Sequence, residues 1–283
     1  MKIGFNLLLW TTYVTENHWS IIENLKVTGY DGVEVPIFEG VVSHYEELGR
    51  RLKDIGLAST GVGVMPGGGK NAISADPRQR EGALDHIKWL TDCTAAIGGD
   101  ILCGPFHQPL GEFSGKGPTG DEVTRCAEVH KAAAQYAASA GITFAIEPLN
   151  RFECYFLNTA AQAVALAKAV DEHNYGYLFD TFHTNIEENS IVEVILSTIR
   201  QISHVHISEN NRGTPGAGHI DFTAVFKALK AAGYDGWLTV EAFGSSLPDL
   251  AAATKIWRPL FARPEDVYEG AYSLIRRGWD NAA

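Results

Sequence analysis

The chain has 283 residues, of which 45% are hydrophobic and 20% charged, and its formal net charge is −11. This apolar content excludes a disordered chain, and the acidic balance argues against a binder of nucleic acid or of an anionic membrane, which would need a basic face. The four cysteines show no CxxC spacing, and the longest apolar runs are far shorter than the roughly 18 residues that a membrane span needs. We therefore expect a cytoplasmic protein with reduced cysteines.

Eight short apolar runs alternate along the chain with longer helical patterns. Near-continuous apolar runs are typical of parallel strands that are buried on both faces. The predicted strands, in chain order, are Ile3–Leu9, Gly32–Phe38, Ala58–Met65, Ile101–Phe106, Thr143–Leu149, Tyr175–Asp180, His204–Ser208 and Trp237–Phe243.

Start and stop signals mark several of the helices between these runs. Asp76 places a capping carboxylate directly before a proline at the first helical position. Thr159 and Gln162 have the spacing of a capping box, and Asp221 begins a helix that Gly233 ends. Each signal separates a helix from a neighbouring predicted strand.

Eight strand–helix units of about 35 residues each would fill the chain, which favours a (β/α)8 TIM barrel over a doubly wound sheet. A dinucleotide-binding fold would need GxGxxG after the first strand, and the sequence there is FNLLLW. We therefore predict an α/β protein that forms a single domain over residues 1–283.

Polar residues interrupt the apolar pattern at the carboxyl ends of four consecutive predicted strands, where such barrels place their catalytic groups. They are Glu147, Asp180, His206 and Glu241. A single carboxylate there could cap a helix or pair with an arginine, but a packed group of carboxylates repels itself unless a cation lies among them. Three carboxylates and an imidazole suit Mn²⁺, Co²⁺ or Mg²⁺ better than Zn²⁺.

A weak internal repeat also places a glutamate on the second strand. The segment 29–35 (GYDGVEV) resembles 233–241 (GYDGWLTVE), and each reads as a helix end, a tight turn and a strand that carries a glutamate. Glu34 is therefore either a pocket residue or a structural hydrogen-bonding group. From its strand we expect it to lie on the other side of the barrel from the four candidate ligands.

Three longer segments carry more specific patterns: residues 146–153 (IEPLNRFE), 179–188 (FDTFHTNIEE) and 204–212 (HVHISENNR). Together they resemble the signature segments of the ketose 3-epimerases, which are the D-tagatose, D-allulose (psicose) and L-ribulose 3-epimerases of the xylose-isomerase-like barrel superfamily. The resemblance covers most of the chain and is strongest from residue 140 onward.

The resemblance implies a metal-dependent epimerisation of a free ketose at C3 through a cis-enediolate. Glu147, Asp180, His206 and Glu241 would bind the metal, with Mn²⁺ preferred and Co²⁺ or Mg²⁺ as alternatives. Glu147 and Glu241 would also act as the acid/base pair on opposite faces of the sugar, which matches the need for one proton-transfer group on each face.

The resemblance further implies that Glu153, His183 and Arg212 bind the hydroxyls and carbonyl of the substrate. From the residues alone, each has a structural alternative: a helix-start carboxylate, a buried hydrogen-bonding histidine and a salt-bridged arginine. Trp10 would stack on the sugar or close the barrel as a buried tryptophan. His107 would shape the region that contacts the distal end of the substrate.

Several other functions stay open at this point. They are an aldose–ketose isomerase of the hydroxypyruvate- or xylose-isomerase type, a sugar-phosphate isomerase or epimerase, a keto-cyclitol dehydratase and a sugar-binding barrel without activity. An endonuclease-IV-like nuclease would need a basic groove for DNA, which the net charge of −11 disfavours. The expected partners are a small ketose and further copies of the chain, in a homodimer or homotetramer.

Overall fold

The computed structural model describes residues 1–282. Eight parallel strands are hydrogen-bonded in chain order and close into a barrel, because β1 pairs with β8. The strands are β1 (Lys2–Asn6), β2 (Gly32–Pro36), β3 (Ala58–Val62), β4 (Ile101–Gly104), β5 (Thr143–Ile146), β6 (Tyr175–Asp180), β7 (Ile202–Ile207) and β8 (Trp237–Val240). The predicted (β/α)8 TIM barrel is confirmed.

Helices follow the strands and surround the barrel. The α-helices are α1 (Trp19–Thr28), α2 (Val42–Asp54), α3 (Pro77–Ala96), α4 (Gly120–Ala138), α5 (Ala160–Val170), α6 (Thr181–Glu187), α7 (Ile191–Thr198), α8 (Phe222–Ala231), α9 (Pro248–Thr254) and α10 (Pro264–Asn281). Short 3₁₀ helices lie at Leu7–Leu9, Glu16–His18 and Ile199–Gln201. Within residues 1–282, no helix combines the length and the apolar character that crossing a membrane requires.

The predicted helix signals act as expected. The Asp76 side chain accepts a hydrogen bond at the start of α3, and Thr159 with Gln162 forms the capping box of α5. Asp221 caps α8 in the same way. These caps satisfy backbone N–H groups that would otherwise lack a partner at each helix start.

Most predicted strands run a few residues too far at their carboxyl ends. The first ends at Asn6 rather than Leu9, because the Asn6 side chain caps the 3₁₀ helix Leu7–Leu9. Glu147 and Glu241, which we expected on strands, are the residues directly after β5 and β8. Their N–H groups still donate to the neighbouring strands, to the carbonyl oxygens of Gly104 (3.1 Å) and Ile207 (3.2 Å), so the barrel fixes both.

Candidate active site

The structure brings four of the predicted residues together at the carboxyl-terminal mouth of the barrel. Glu147, Asp180, His206 and Glu241 are buried, and one ligand atom from each lies within 4.8 Å of all the others. Nδ1 of His206 is 3.6 Å from Oδ2 of Asp180 and 3.5 Å from Oε1 of Glu241. We call these four residues the acidic cluster.

Two atoms of the acidic cluster are buried without a hydrogen-bond partner in the part of the chain that the structure describes. Asp180 uses Oδ1 to accept from the N–H groups that begin α6, and its Oδ2 is left free. Nδ1 of His206 is free in the same way. Because buried polar atoms are nearly always paired, two such atoms that face carboxylates fit a bound cation.

The electrostatics of the acidic cluster point the same way. Burial and the neighbouring carboxylate of Glu241 raise the pKa of Glu147 well above its usual value. A divalent cation among the carboxylates would reverse this repulsion and favour their charged forms. The donor set of three carboxylates and one imidazole suits a divalent ion that prefers oxygen ligands.

His183 lies beside Glu147, with its Nε2 atom 3.6 Å from the Oε1 atom of that glutamate. Burial lowers the pKa of His183 to about 3, so its ring is neutral. The backbone N–H of Asn150 donates to Nδ1 at 2.9 Å and so fixes the orientation of the ring. His183 therefore presents Nε2 of a neutral ring at the edge of the acidic cluster.

Arg212 and Glu153, which we predicted as separate substrate contacts, form one ion pair, in which Arg212 is buried and Glu153 is partly exposed. The guanidinium donates to both carboxylate oxygens of Glu153, at 2.9 and 3.2 Å. It also lies over the rings of Phe182 and Phe243, at 4.2 and 5.0 Å from their centroids. These contacts fix the guanidinium 3.2 Å from Nε2 of His183.

A cavity of about 170 Å³ opens above the acidic cluster. Glu147, Glu153, His183, Arg212 and Glu241 line one side of it, and all of them follow β5–β8. The facing wall is formed by β3 and by the segments that follow β1, β2, β3 and β4, and it is apolar: Leu8, Phe38, Val62, Val64, Pro105 and Leu110. All charged lining residues thus follow β5–β8, where Leu149, Phe243 and Leu250 also line the cavity, and the apolar wall on the β1–β4 side carries no charge.

Two of the predicted substrate contacts do not line this cavity. Trp10 packs against Phe5 and Tyr268, with ring centroids 5.0 and 6.2 Å away, which favours the interpretation that it closes the barrel. His107 is fully buried, and its Nε2 lies 3.1 Å from the backbone carbonyl oxygen of Glu147. Burial lowers the pKa of His107 to about 4, so this neutral ring supports the backbone of a cluster residue.

The expectation that Glu34 lies away from the acidic cluster is wrong. Its Oε1 atom is 2.7 Å from Nε2 of His206, because the barrel is narrow enough for a side chain from β2 to reach β7. The internal repeat also pairs Glu34 with Glu241, but the two residues do not have equivalent positions. Glu34 is in the middle of β2, whereas Glu241 follows β8. A charged residue between Val33 and Val35 in a fully buried strand was the signal available in the sequence.

Asn6 is a second residue that the sequence reasoning missed. Its Nδ2 atom donates to Glu34 at 3.0 Å and to Glu241 at 3.2 Å. A polar residue at the end of an apolar first strand was the only hint of this role.

Comparisons with known proteins agree with the fold. Residues 22–271 match the family model described as xylose isomerase-like TIM barrel. A ketose 3-epimerase from Arthrobacter globiformis is 32% identical over 98% of this chain and 96% of its own length. The chain therefore belongs to the xylose isomerase-like TIM barrels and, within them, to the ketose 3-epimerase family.

Solved structures place the similarity over the whole chain. A structure of an L-ribulose 3-epimerase has a TM-score of 0.93 at 30% identity and covers 99% of this chain and 95% of its own. A D-allulose 3-epimerase from Methylomonas sp., solved in complex with D-allulose, has a TM-score of 0.90 at 28% identity over 98% of this chain and 96% of its own. The resemblance found in the three sequence segments is confirmed.

Proposed function

We propose that this protein epimerises free ketoses at C3. The observation that carries the proposal is the joint burial of Glu147 and Glu241 with Asp180 and His206 in one cluster at the mouth of the barrel. This arrangement offers two carboxylates to a bound sugar together with a site that fits a divalent cation. Membership of the ketose 3-epimerase family supports the same reaction.

The two glutamates would perform the proton transfers. In each direction one carboxylate removes the C3 proton as general base, and the other, in its protonated form, returns a proton to the opposite face. A divalent cation held by the acidic cluster, with Mn²⁺ preferred over Co²⁺ and Mg²⁺, would supply Lewis-acid stabilisation of the negative charge that develops on the C2 and C3 oxygens.

The neighbouring residues would hold the substrate in position. Nε2 of His183 can hydrogen-bond to a sugar hydroxyl beside Glu147, because the other ring nitrogen is already occupied. Glu153 and two aromatic rings fix the Arg212 guanidinium, which lines the same cavity. Such a rigid set of polar groups lowers the entropic cost of orienting the sugar.

The cavity favours a free ketose over a phosphorylated one. Among the described residues that line it, Arg212 is the only cationic side chain, and Glu153 already neutralises that charge. A phosphate group is usually held by several charged or backbone N–H donors. The side chains of the apolar wall, opposite the acidic cluster, offer no hydrogen-bond donors to a phosphate.

Assembly and location are further parts of the proposal. We expect a homodimer or homotetramer, as in the sequence analysis, and a cytoplasmic location. Light scattering from the purified protein measures the number of copies directly.

The test is proton NMR of the Mn²⁺-loaded protein in D₂O with D-fructose, D-tagatose and L-ribulose in separate samples. Deuterium at C3 of an accumulating C3 epimer supports the proposal, and the same protein stripped of metal by a chelator is the control. Exchange at C1 with formation of an aldose would instead establish an aldose–ketose isomerase. Absence of exchange with all three sugars contradicts epimerisation of simple free ketoses.

A further inference from the structure

Glu34 is a fully buried carboxylate inside the barrel, next to the acidic cluster. Side chains from β1, β3, β4 and β7 converge on it. Their atoms are Nδ2 of Asn6 (3.0 Å), Oγ1 of Thr60 (2.9 Å), Sγ of Cys103 (3.1 Å), Nε2 of His204 (2.8 Å) and Nε2 of His206 (2.7 Å). No step of the proposed reaction uses this residue.

The contact with His206 determines which ring nitrogen faces the acidic cluster. An ionised carboxylate only accepts hydrogen bonds, so Nε2 of His206 must carry the proton that joins it to Glu34. In the neutral imidazole, which is the form that binds a metal ion, this is the only N–H, and Nδ1 then offers a lone pair. That atom is buried, has no partner in the described chain and lies 3.5 Å from Glu241. Metal-binding histidines generally donate their other N–H to such a carboxylate.

A second contact extends the influence of Glu34 to the acid/base pair. The Asn6 amide nitrogen bridges Oε1 of Glu34 and Oε1 of Glu241. Its carbonyl oxygen accepts from the N–H of Leu8, which fixes the direction of the amide. Glu34 thereby contacts one cluster residue directly and a second through one intervening side chain.

Glu34, Cys103, His204 and His206 could also be considered as a second metal site, since their ligand atoms lie within 4.8 Å of one another. The distances from Glu34 to the two imidazoles, 2.8 and 2.7 Å, are those of direct hydrogen bonds. An ion at about 2.0–2.2 Å from each ligand would push these atoms further apart. The hydrogen-bonded interpretation fits the geometry.

We propose that Glu34 is a positioning residue, which fixes the tautomer of His206 for metal binding and, through Asn6, holds the carboxylate of Glu241. The proposal rests on the proposed function, because it takes the acidic cluster to hold a divalent cation. Glu34 itself touches neither the cation nor the sugar.

The first test compares Mn²⁺ binding by the wild type, Glu34→Gln and the matched control Thr60→Val. Glutamine keeps the shape but has one acceptor oxygen and an NH₂ donor, so it cannot accept from both imidazoles. We expect its Mn²⁺ dissociation constant, from electron paramagnetic resonance of free Mn²⁺, to rise about 10–100-fold. Thr60→Val removes another donor to Glu34 without touching His206, and its dissociation constant should not change.

The outcome that overturns the proposal is also specific. If Glu34 only stabilises the barrel, both variants lower the melting temperature of the metal-free protein and neither changes Mn²⁺ affinity. A second measurement uses the wild type alone: ¹⁵N NMR of the histidine rings in the metal-free protein, at a pH where the His206 ring is neutral, should show its one proton on Nε2, and a proton on Nδ1 instead overturns the proposal. A wild type that binds no Mn²⁺ contradicts the proposed function instead, while the Nε2 proton still decides the role of Glu34.

Discussion

At the scale of single residues, the acidic cluster is built from side chains that use one polar atom for the fold and leave another free. Asp180 caps α6 with Oδ1 and leaves Oδ2 unpaired. His206 contacts Glu34 through Nε2 and leaves Nδ1 unpaired. Because the bonded atom fixes each side chain, the free atom already points to where a cation would bind.

Replacing Asp180 with asparagine tests the ligand assignment. The amide oxygen can still cap α6, but the NH₂ group would take the place of Oδ2 and face the cation site with its hydrogens. We expect the Mn²⁺ dissociation constant, measured by calorimetry, to rise at least about tenfold, since loss of even an indirect partner has that effect. Unchanged affinity would show that Asp180 is not a ligand.

Replacing Glu147 with glutamine tests the proton transfer. An amide neither removes nor returns a proton at C3, so we expect turnover at saturating Mn²⁺ to fall by about 100-fold or more. One of the two C3 epimers should still exchange its C3 proton with D₂O without inversion, because Glu241 remains for that face. Normal turnover by this variant would rule out Glu147 as an acid/base group.

At the scale of strands and helices, the position of Glu147 depends on the end of β4. Gly104 has φ +119°, and its carbonyl oxygen accepts the N–H of Glu147 at 3.1 Å. A Cβ at this position would lie 2.2 Å from the carbonyl oxygen of Gly63, which is backbone and cannot move aside easily. The strand end therefore requires glycine for two reasons, conformation and space.

The substitution Gly104→Ala should accordingly lower the free energy of unfolding by at least about 2 kcal/mol, measured in urea on the metal-free protein. Gly98→Ala is the matched control, because Gly98 has φ +75° but no atom within 4 Å of an added Cβ. The control should lose only about 1 kcal/mol, the conformational part of the cost. Equal losses in the two variants would mean that the contact with Gly63 carries no strain.

The histidine on α4 makes the stability of the barrel depend on pH. Burial lowers the pKa of His130 to about 3, against 6.5 in the unfolded chain, and its Nδ1 lies 2.6 Å from the Tyr175 hydroxyl on β6. Between these values the unfolded chain binds the proton and the folded chain does not. The contribution of neutral His130 to the free energy of unfolding is therefore fully present above pH 6.5 and is lost as the pH falls towards 3.

We therefore expect the free energy of unfolding to fall by up to about 1.4 kcal/mol per pH unit below 6.5 on account of this residue. Urea unfolding of the metal-free wild type and His130→Gln between pH 7 and pH 5 measures the difference. The variant should show a shallower slope, because glutamine does not titrate. Identical slopes would mean that His130 binds its proton equally well in the folded and the unfolded chain.

The number and order of the strands could be predicted from the apolar runs, but their ends could not. Phe38, Leu149 and Phe243 lie past the ends of their strands and line the cavity. They are apolar because they form the wall of a pocket, and a sequence pattern does not separate that cause from burial in a strand. The predicted strands were too long for this reason.

At the scale of the whole molecule, the functional residues after β5–β8 could be predicted from the sequence, whereas those on the β1–β4 side could not. The acidic cluster could be predicted, because one motif after another places a polar residue at the end of β5, β6, β7 and β8. The contact between Glu34 and His206 could not, because it crosses the barrel and depends on the barrel's width. Nor could the apolar wall, since Leu8 and Val64 resemble any other core residue in sequence.

This division of the cavity leads to a prediction about the far end of the sugar. A hydroxyl that is buried against the apolar wall without a partner costs about 1–3 kcal/mol. We therefore expect a 6-deoxyketose to have a kcat/KM at least equal to that of its 6-hydroxy counterpart, and a ketose 6-phosphate to be turned over much more slowly than either. Competition between the three sugars, followed by NMR in D₂O, measures these ratios.

A matched variant tests whether the apolar wall causes this preference among the three ketoses. Val64→Thr keeps the shape of the side chain and adds one hydroxyl to the lining of the cavity. The variant should shift the ratio towards the hydroxylated sugar, because the new group can pair with the distal hydroxyl, while exchange at C3 continues at the acidic cluster. Preference for the phosphorylated sugar in the wild type would contradict the prediction and favour a sugar-phosphate epimerase, whose phosphate would then need cationic donors other than Arg212.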